Sequence, residues 1–424
     1  MSATAEQRAR SWPELAAWAD WPEGEALAEQ RIHGPTNAQA SLRLFGGVAA
    51  DVRVTLYRDH HAWCPYCQKI WLWLEERRIP YRIRKVTMFC YGSKEPWFTR
   101  LVPSGMLPAL ELDGRLITES DRILAALEQT FGPLGPRAFD DGVVLQLRQL
   151  ERLLFRAWCQ WLCTPGLDAA AELRCRVQFQ RYAAAMEEAL AAAPGAFLLG
   201  DEPATADLVF VPYLERMNAS LAYYKGFDLR QQHPGIDRWF RALEQRPTYL
   251  GTQSDFHTHA HDLPPQMGGC WADGSDPQRR WAARIDGGPW PIASPDPETS
   301  APAPVTAARE AVARVARHGP VLLARMAAAT GLEVTALDTA LRTALERLVS
   351  GAELAPPPGT GAGLAYLRDR ISVPRDMGLH AARLLRAALD ATAHLDALDR
   401  AAAGPPLPQQ HRRDQDPAPF VAAA

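Results

Sequence analysis

Residues 52–76 read VRVTLYRDHHAWCPYCQKIWLWLEE, and their reading decides the fold. The run 52–57 alternates apolar and polar side chains, the pattern of a half-buried strand. WCPYC follows. QKIWLWLEERR then lacks Gly and Pro, which predicts a helix that Pro80 ends. A strand running into a helix through Cys-Pro-Tyr-Cys puts Cys64 at a helix N-terminus. Unpaired N–H groups and the helix dipole favour negative charge there, and so a thiolate. Pro65 fits the first turn, where its missing N–H costs nothing. Cys67, three residues on, shares the face of Cys64 and can resolve a mixed disulfide. Half of a zinc site and two buried thiols are the competing readings. A single CxxC without a second pair argues against a closed zinc site, and the strand-to-helix setting favours redox chemistry.

Working outward, YRIRKVTM alternates as a second strand and SKEPWFTRL forms one short helix. MLPALELDGRLIT is a hairpin around Asp113-Gly114, and ESDRILAALEQTF closes the unit as a helix. The order β-α-β-α-β-β-α over 51–131 is a compact α/β domain. Pro108 in a hairpin strand donates no ladder hydrogen bond; a cis Leu107-Pro108 bond accounts for it and frees the backbone of Leu107 to pair with an extended, peptide-like ligand. An edge-strand Pro is the alternative. Ser120 caps the closing helix, forming an anion site with the N–H groups beside it, and Glu119 suits an ammonium. Together they match the two charges of a free α-amino-acid end, although a plain N-cap explains the same residues.

The remaining chain divides by composition. Residues 1–50 form an arm with a short helical pattern. Residues 140–250 carry helical spacing without strand alternation, an all-α domain. Residues 251–304 hold SDFHTHAHDLPPQMGGCW and then a Pro/Gly-rich linker. Helical patterning returns over 305–400, and 401–424 reads as a disordered tail. In an extended segment His257, His259 and His261 point the same way, with Asp255 and Cys270 nearby, and form a weak metal candidate; a polar connector is the plainer reading. Phe155, Trp158, Trp161, Tyr223 and Tyr224 are core residues or the lining of an apolar pocket.

With 424 residues, 47% hydrophobic and 22% charged, the chain has ample core and is not globally disordered. A net charge of −3 leaves no overall footprint for nucleic acid or an anionic membrane. The stretch 328–348 faintly resembles a helix-turn-helix, but 14 Arg stand against 12 acidic residues over 301–424, which disfavours DNA. No apolar run approaches the roughly 18 residues of a membrane span. The charged N-terminus has no signal-like apolar region, and seven cysteines are few and odd in number. A reducing, cytoplasmic setting is therefore expected.

Residues 52–250 resemble the cytosolic glutathione transferases. Cys64 matches the active-site Cys of the Cys-type, omega-like and iota-like classes. SGMLPALELDGRLITES matches the cis-Pro loop, hairpin and Glu-Ser pair, and CPYC is similar to the glutaredoxin dithiol motif. GDEPATADLVFVPYLERM resembles the helical-domain capping segment, with Asp207 at the buried Asp position and Ala204 where a hydroxyl N-cap is usual. The resemblance implies a thioredoxin-like α/β domain followed by an all-α domain, and a glutathione-dependent enzyme acting on a small disulfide or electrophile. Cys64 and Cys67 would be catalytic. Pro65, Tyr66, Leu107, Pro108, Glu119 and Ser120 would line the glutathione site, with Lys94 on the glycyl carboxylate. The second Cys shifts the expectation towards thiol transfer, deglutathionylation or dehydroascorbate reduction rather than conjugation. A homodimer is compatible with it, as is an iron–sulfur cluster held by Cys64 and glutathione. The competing class is a non-catalytic module of the same fold that docks a partner or binds metal.

Overall fold

The structure is a computed structural model and describes residues 8–292 and 294–398. Helices α1 (Trp12–Ala19) and α2 (Gly24–His33) precede the edge strand β1 (Leu42–Arg43). Then come β2 (Val54–Asp59), α3 (Pro65–Glu76), β3 (Tyr81–Val86), α4 (Pro96–Leu101), β4 (Ala109–Leu112), β5 (Arg115–Thr118) and α5 (Ser120–Phe131). This is the thioredoxin-like order expected, with β1 added. The sheet runs β1-β3-β2-β4-β5; β2 and β3 are parallel and the other pairs antiparallel.

Strand alternation sorts the side chains onto two covered faces. Val54, Leu56, Tyr81, Ile83, Leu110 and Leu112 join α3 and α5 in the main core. Tyr57, Val86 and Ala109 face the other way, against Phe98 and Val102 at α4. Asp113 and Gly114 both have positive φ (51° and 80°), as a two-residue hairpin turn with the sheet's own twist requires.

The all-α unit comprises α6 (Gly142–Cys163), α7 (Ala169–Ala192), α8 (Thr205–Lys225), α9 (Leu229–Gln232), α10 (Pro234–Leu243) and α11 (Pro247–Thr252). Its apolar faces merge with those of α3 and α5 into one continuous core. Asp207, fully buried at the start of α8, accepts from the N–H groups of Leu198 and Ala204 and from Trp239 Nε1 at 2.9–3.0 Å. It ties the preceding loop and α10 to that helix start, with Ala204 as the N-cap.

Over residues 251–304 the chain departs from its sequence reading, while the helices expected over 305–400 are present. The His stretch is not extended: it is α12 (Phe256–Met267), capped by Asp255, whose carboxylate accepts from Thr258 N–H at 2.9 Å. Nor is 276–304 a loose linker. It contains α13 (Asp276–Gly287), and Glu298 and Thr299 are buried. A Cβ on Gly226 would lie 2.5 Å from Gln278 N, so glycine there permits the close approach of α13 to the end of α8.

Helices α14 (Ala307–Thr330), α15 (Val334–Ser350), α16 (Gly361–Arg368) and α17 (Leu379–Ala393) build a second core. The faint helix-turn-helix is the α14–α15 corner of this bundle. Residues 8–50 are not a free arm either: Leu15 and Ala19 of α1 are buried in the second core, and Trp12 Nε1 donates to Asp338 Oδ1 at 2.6 Å. The apolar stripe of α1 is thus satisfied by chain that starts at residue 307. The tail 401–424 lies outside the described residues. Among those described, no single helix is long and apolar enough to cross a membrane.

Candidate active site

At the end of β2 the chain reverses through Ala62, at φ 60°. Asp59, fully buried, fixes the reversal by accepting from the N–H groups of Trp63 (2.7 Å) and Cys64 (3.3 Å). Cys64 is the N-cap of α3 and Pro65 its first residue. Arg216 of α8, itself buried, donates to the Trp63 carbonyl and, at 2.8 Å, to Gln68 Oε1. The helical domain therefore grips the first turn that presents the cysteines.

Cys64 is 7% exposed and Cys67 1%. Their sulfurs and a carboxylate oxygen of Asp59 all lie within 4.8 Å of one another. Burial, then Cys64 and Asp59, push the Cys67 thiol well up, so it holds its proton at neutral pH. Lys94 stands on the other side of the balance. Burial lowers its pKa overall, and the carboxylates of Glu95 and Asp59 oppose that shift. Its Nζ donates to the Thr87 carbonyl at 3.1 Å.

Leu107, whose bond to Pro108 is cis, packs against the cluster of Trp63, Cys64, Cys67, Met88 and Tyr91. It also lines an open cleft of about 790 Å³, together with Tyr66, Pro108, Glu119 and Ser120. Tyr66, Leu107, Pro108, Glu119 and Ser120 thus share one wall; Cys64 and Cys67 do not line the cleft and meet Leu107 in the buried cluster. Lys94 is not among the residues that line the cleft. Glu119 sits at φ 68°, a strained value for a side-chain-bearing residue, and Glu119 rather than Ser120 is the N-cap of α5. Ser120 is the first helical residue.

The sequence reading missed the opposite wall. Arg148, Arg152 and Arg156 recur every four residues along α6 and face the cleft, as does Lys69 from α3. Lys69 Nζ and Arg148 donate to the two oxygens of Asp121 at 2.6 and 2.8 Å. Burial would raise the Asp121 pKa, but these two cations bring it below the ordinary value. The four-residue Arg spacing was legible; its pairing with α5 was not. None of Phe155, Trp158, Trp161, Tyr223 and Tyr224 lines the cleft. Trp158 and Trp161 are core, and Tyr224 donates to the Ala260 carbonyl at 2.7 Å.

The expected alignment of His257, His259 and His261 fails because they lie on a helix. His259 Nε2 is 2.7 Å from Glu215 Oε1, on the far side from the other two. Burial and Arg216 oppose its charge, yet Asp262 and Glu215 raise its pKa overall. Asp255 pairs with Arg386, and Cys270 interacts with Cys163, so neither joins a three-histidine cluster.

Residues 63–130 match the family profile described as glutathione S-transferase, N-terminal domain, and residues 147–242 match glutathione S-transferase, C-terminal domain. Glutathione S-transferase DHAR2 of Arabidopsis thaliana is 23% identical over 191 residues, covering 45% of this chain and 84% of that protein. A probable maleylacetoacetate isomerase 2 of Drosophila melanogaster is 25% identical, over 52% of this chain and 94% of its own. Among solved structures, glutathione transferase Omega 3C from Trametes versicolor aligns with a TM-score of 0.44 at 23% identity, over 51% of this chain and 90% of that one. The segment beyond residue 250 lies outside both matched domains.

Proposed function

We propose, from the premise that residues 63–242 carry the paired domains of the glutathione S-transferase family, that this protein is a glutathione-dependent thiol transferase with Cys64 as nucleophile. One observation carries the reading: a helix-capping cysteine packs in one cluster with Leu107, and Leu107 and its cis-bonded Pro108 also line a cleft bearing charges of both signs. A tripeptide with an amino-acid end fits that arrangement. The Leu107 backbone pairs with its cysteinyl unit, Ser120 receives its α-carboxylate and Glu119 its ammonium.

The Cys64 thiolate attacks the glutathione sulfur of a mixed disulfide RS–SG. The S–S bond breaks, RS⁻ leaves and takes a proton, and Cys64–S–SG remains. A second glutathione thiolate then attacks the glutathione sulfur of this adduct. Glutathione disulfide leaves and the Cys64 thiolate returns. Alternatively Cys67 loses its proton to Asp59 and attacks Cys64 Sγ, expelling glutathione as its thiolate. Two further glutathione molecules reduce the resulting intramolecular disulfide. Lys94 favours the anionic sulfur throughout. A cytoplasmic setting, where reduced glutathione is abundant, suits this cycle.

The test is glutathione-dependent reduction of a small glutathione mixed disulfide, with dehydroascorbate and an aryl halide run in parallel. Wild type is expected to turn over the first two faster than it conjugates the halide. Cys64→Ser is expected to lose more than about a hundredfold in rate, because no hydroxyl replaces the thiolate. Cys67→Ser is expected to keep most of the activity. A Cys64→Ser variant working at the wild-type rate overturns the proposal.

A further inference from the structure

A second cluster of donor atoms lies far along the chain from the cysteines, where α12 and α13 pack against α8. Residues four apart on a helix share a face, so His257 and His261 stack one turn apart, with ring centroids 4.7 Å from each other. Both are buried, at 2% and 7% exposure. The last turn of α13 brings Asp286 to them, with Oδ1 2.7 Å from His261 Nε2. One nitrogen from each ring and one carboxylate oxygen all lie within 4.8 Å of one another. Tetrahedral bonds of about 2.0–2.2 Å to such donors require ligand atoms a little over 3 Å apart, which side-chain rotation from this arrangement can reach.

We propose that His257, His261 and Asp286 bind one divalent first-row transition-metal ion. Two imidazoles and one carboxylate, with no thiolate, suit Zn²⁺ or Fe²⁺. Ca²⁺ and Mg²⁺ prefer oxygen ligands throughout. The surrounding groups are those that orient a metal ligand. Tyr223 on α8 donates its hydroxyl to the second oxygen of Asp286 at 2.8 Å, which aims the first oxygen at the rings. Asp286 is only partly buried, so water is the natural fourth ligand. The site spans α12 and α13, both outside the two matched domains. It is independent of the thiol chemistry proposed above.

The chain also carries a donor set at Asp59, Cys64 and Cys67, so the experiment has to separate the two. Untagged full-length protein is stripped with a chelator and titrated with Zn²⁺ and with Co²⁺. Binding of one equivalent per chain is expected, with weak visible Co²⁺ bands and without the intense near-ultraviolet absorption of cobalt–thiolate bonds. Zn²⁺ affinity is expected to fall at least tenfold in both His257→Gln and Asp286→Asn, to persist in Cys64→Ser/Cys67→Ser, and to leave thiol transfer unchanged in the first two variants. The absence of stoichiometric binding, a thiolate-type cobalt spectrum, or affinity undiminished in His257→Gln overturns the proposal. The wild-type cobalt spectrum decides the ligand type even if a substituted chain fails to fold.

Discussion

Cys64 and Cys67 share one helical turn and meet different surroundings. Cys67 is sealed between Cys64 and the fully buried Asp59, which hold its proton on; Cys64 lies at the helix end beside Lys94. Iodoacetamide at pH 7.5 should therefore label Cys64 and spare Cys67, as read by peptide mass spectrometry. Lys94→Gln should slow that labelling by about threefold to tenfold, because it removes the nearby cation. Glu119 provides a second test at this scale. Its φ of 68° costs of the order of 1–3 kcal/mol in a residue with a Cβ. Glu119→Gly should hold or raise thermal stability while raising the KM for glutathione about tenfold or more, the worth of a charged hydrogen bond. Loss of stability without a change in KM would make Glu119 a fold residue only.

Among the elements, α3 was legible from its composition, but what aims it was not. The Trp63 carbonyl and Gln68 are gripped by Arg216, which lies 153 and 148 residues away in the chain. Arg216→Ala leaves those acceptors buried and unpaired, which costs about 1–3 kcal/mol for each. It should lower kcat more than it raises KM, and Arg216→Lys should not rescue it, because an ammonium lacks the planar fork. A pure KM effect would separate Arg216 from the cysteine turn. Helix α12 shows the opposite kind of failure. The alternation His-Thr-His-Ala-His has the period of a strand. The capping carboxylate of Asp255 and the partners waiting on α8 and α13 decide for a helix. Period-2 spacing over five residues cannot outvote a cap and tertiary partners.

At the scale of the whole molecule, buried charge fastens the C-terminal bundle to the rest. Arg386 pairs with Asp255 and donates to the Ile371 carbonyl at 2.8 Å, and Arg383 meets Asp296 and Glu298. Removing one partner of such a pair leaves an uncompensated charge, so Arg386→Ala should cost about 3–5 kcal/mol in urea unfolding. Two guanidinium groups here face three carboxylates. The surplus falls on Glu298, whose pKa burial pushes up to about 7 against the attraction of Arg383. The folded chain thus keeps a proton there that the unfolded chain releases above about pH 4.5. This contribution to stability is complete below that pH and is lost as the pH rises towards 7. Glu298→Gln should flatten that decline, measured as unfolding free energy against pH. An unchanged slope would assign the decline to another group.

The α/β order, the cis-Pro hairpin, the Glu-Ser pair and the paired cysteines were fixed by local pattern, because strand alternation, turn chemistry and helix capping act within a few residues. The role of residues 8–50, the helical state of the histidine stretch and the anchoring of the last helices were decided only by tertiary structure. An apolar stripe or a buried charge states in sequence that it needs a partner. Which partner it finds, hundreds of residues away, is settled when the chain closes around it.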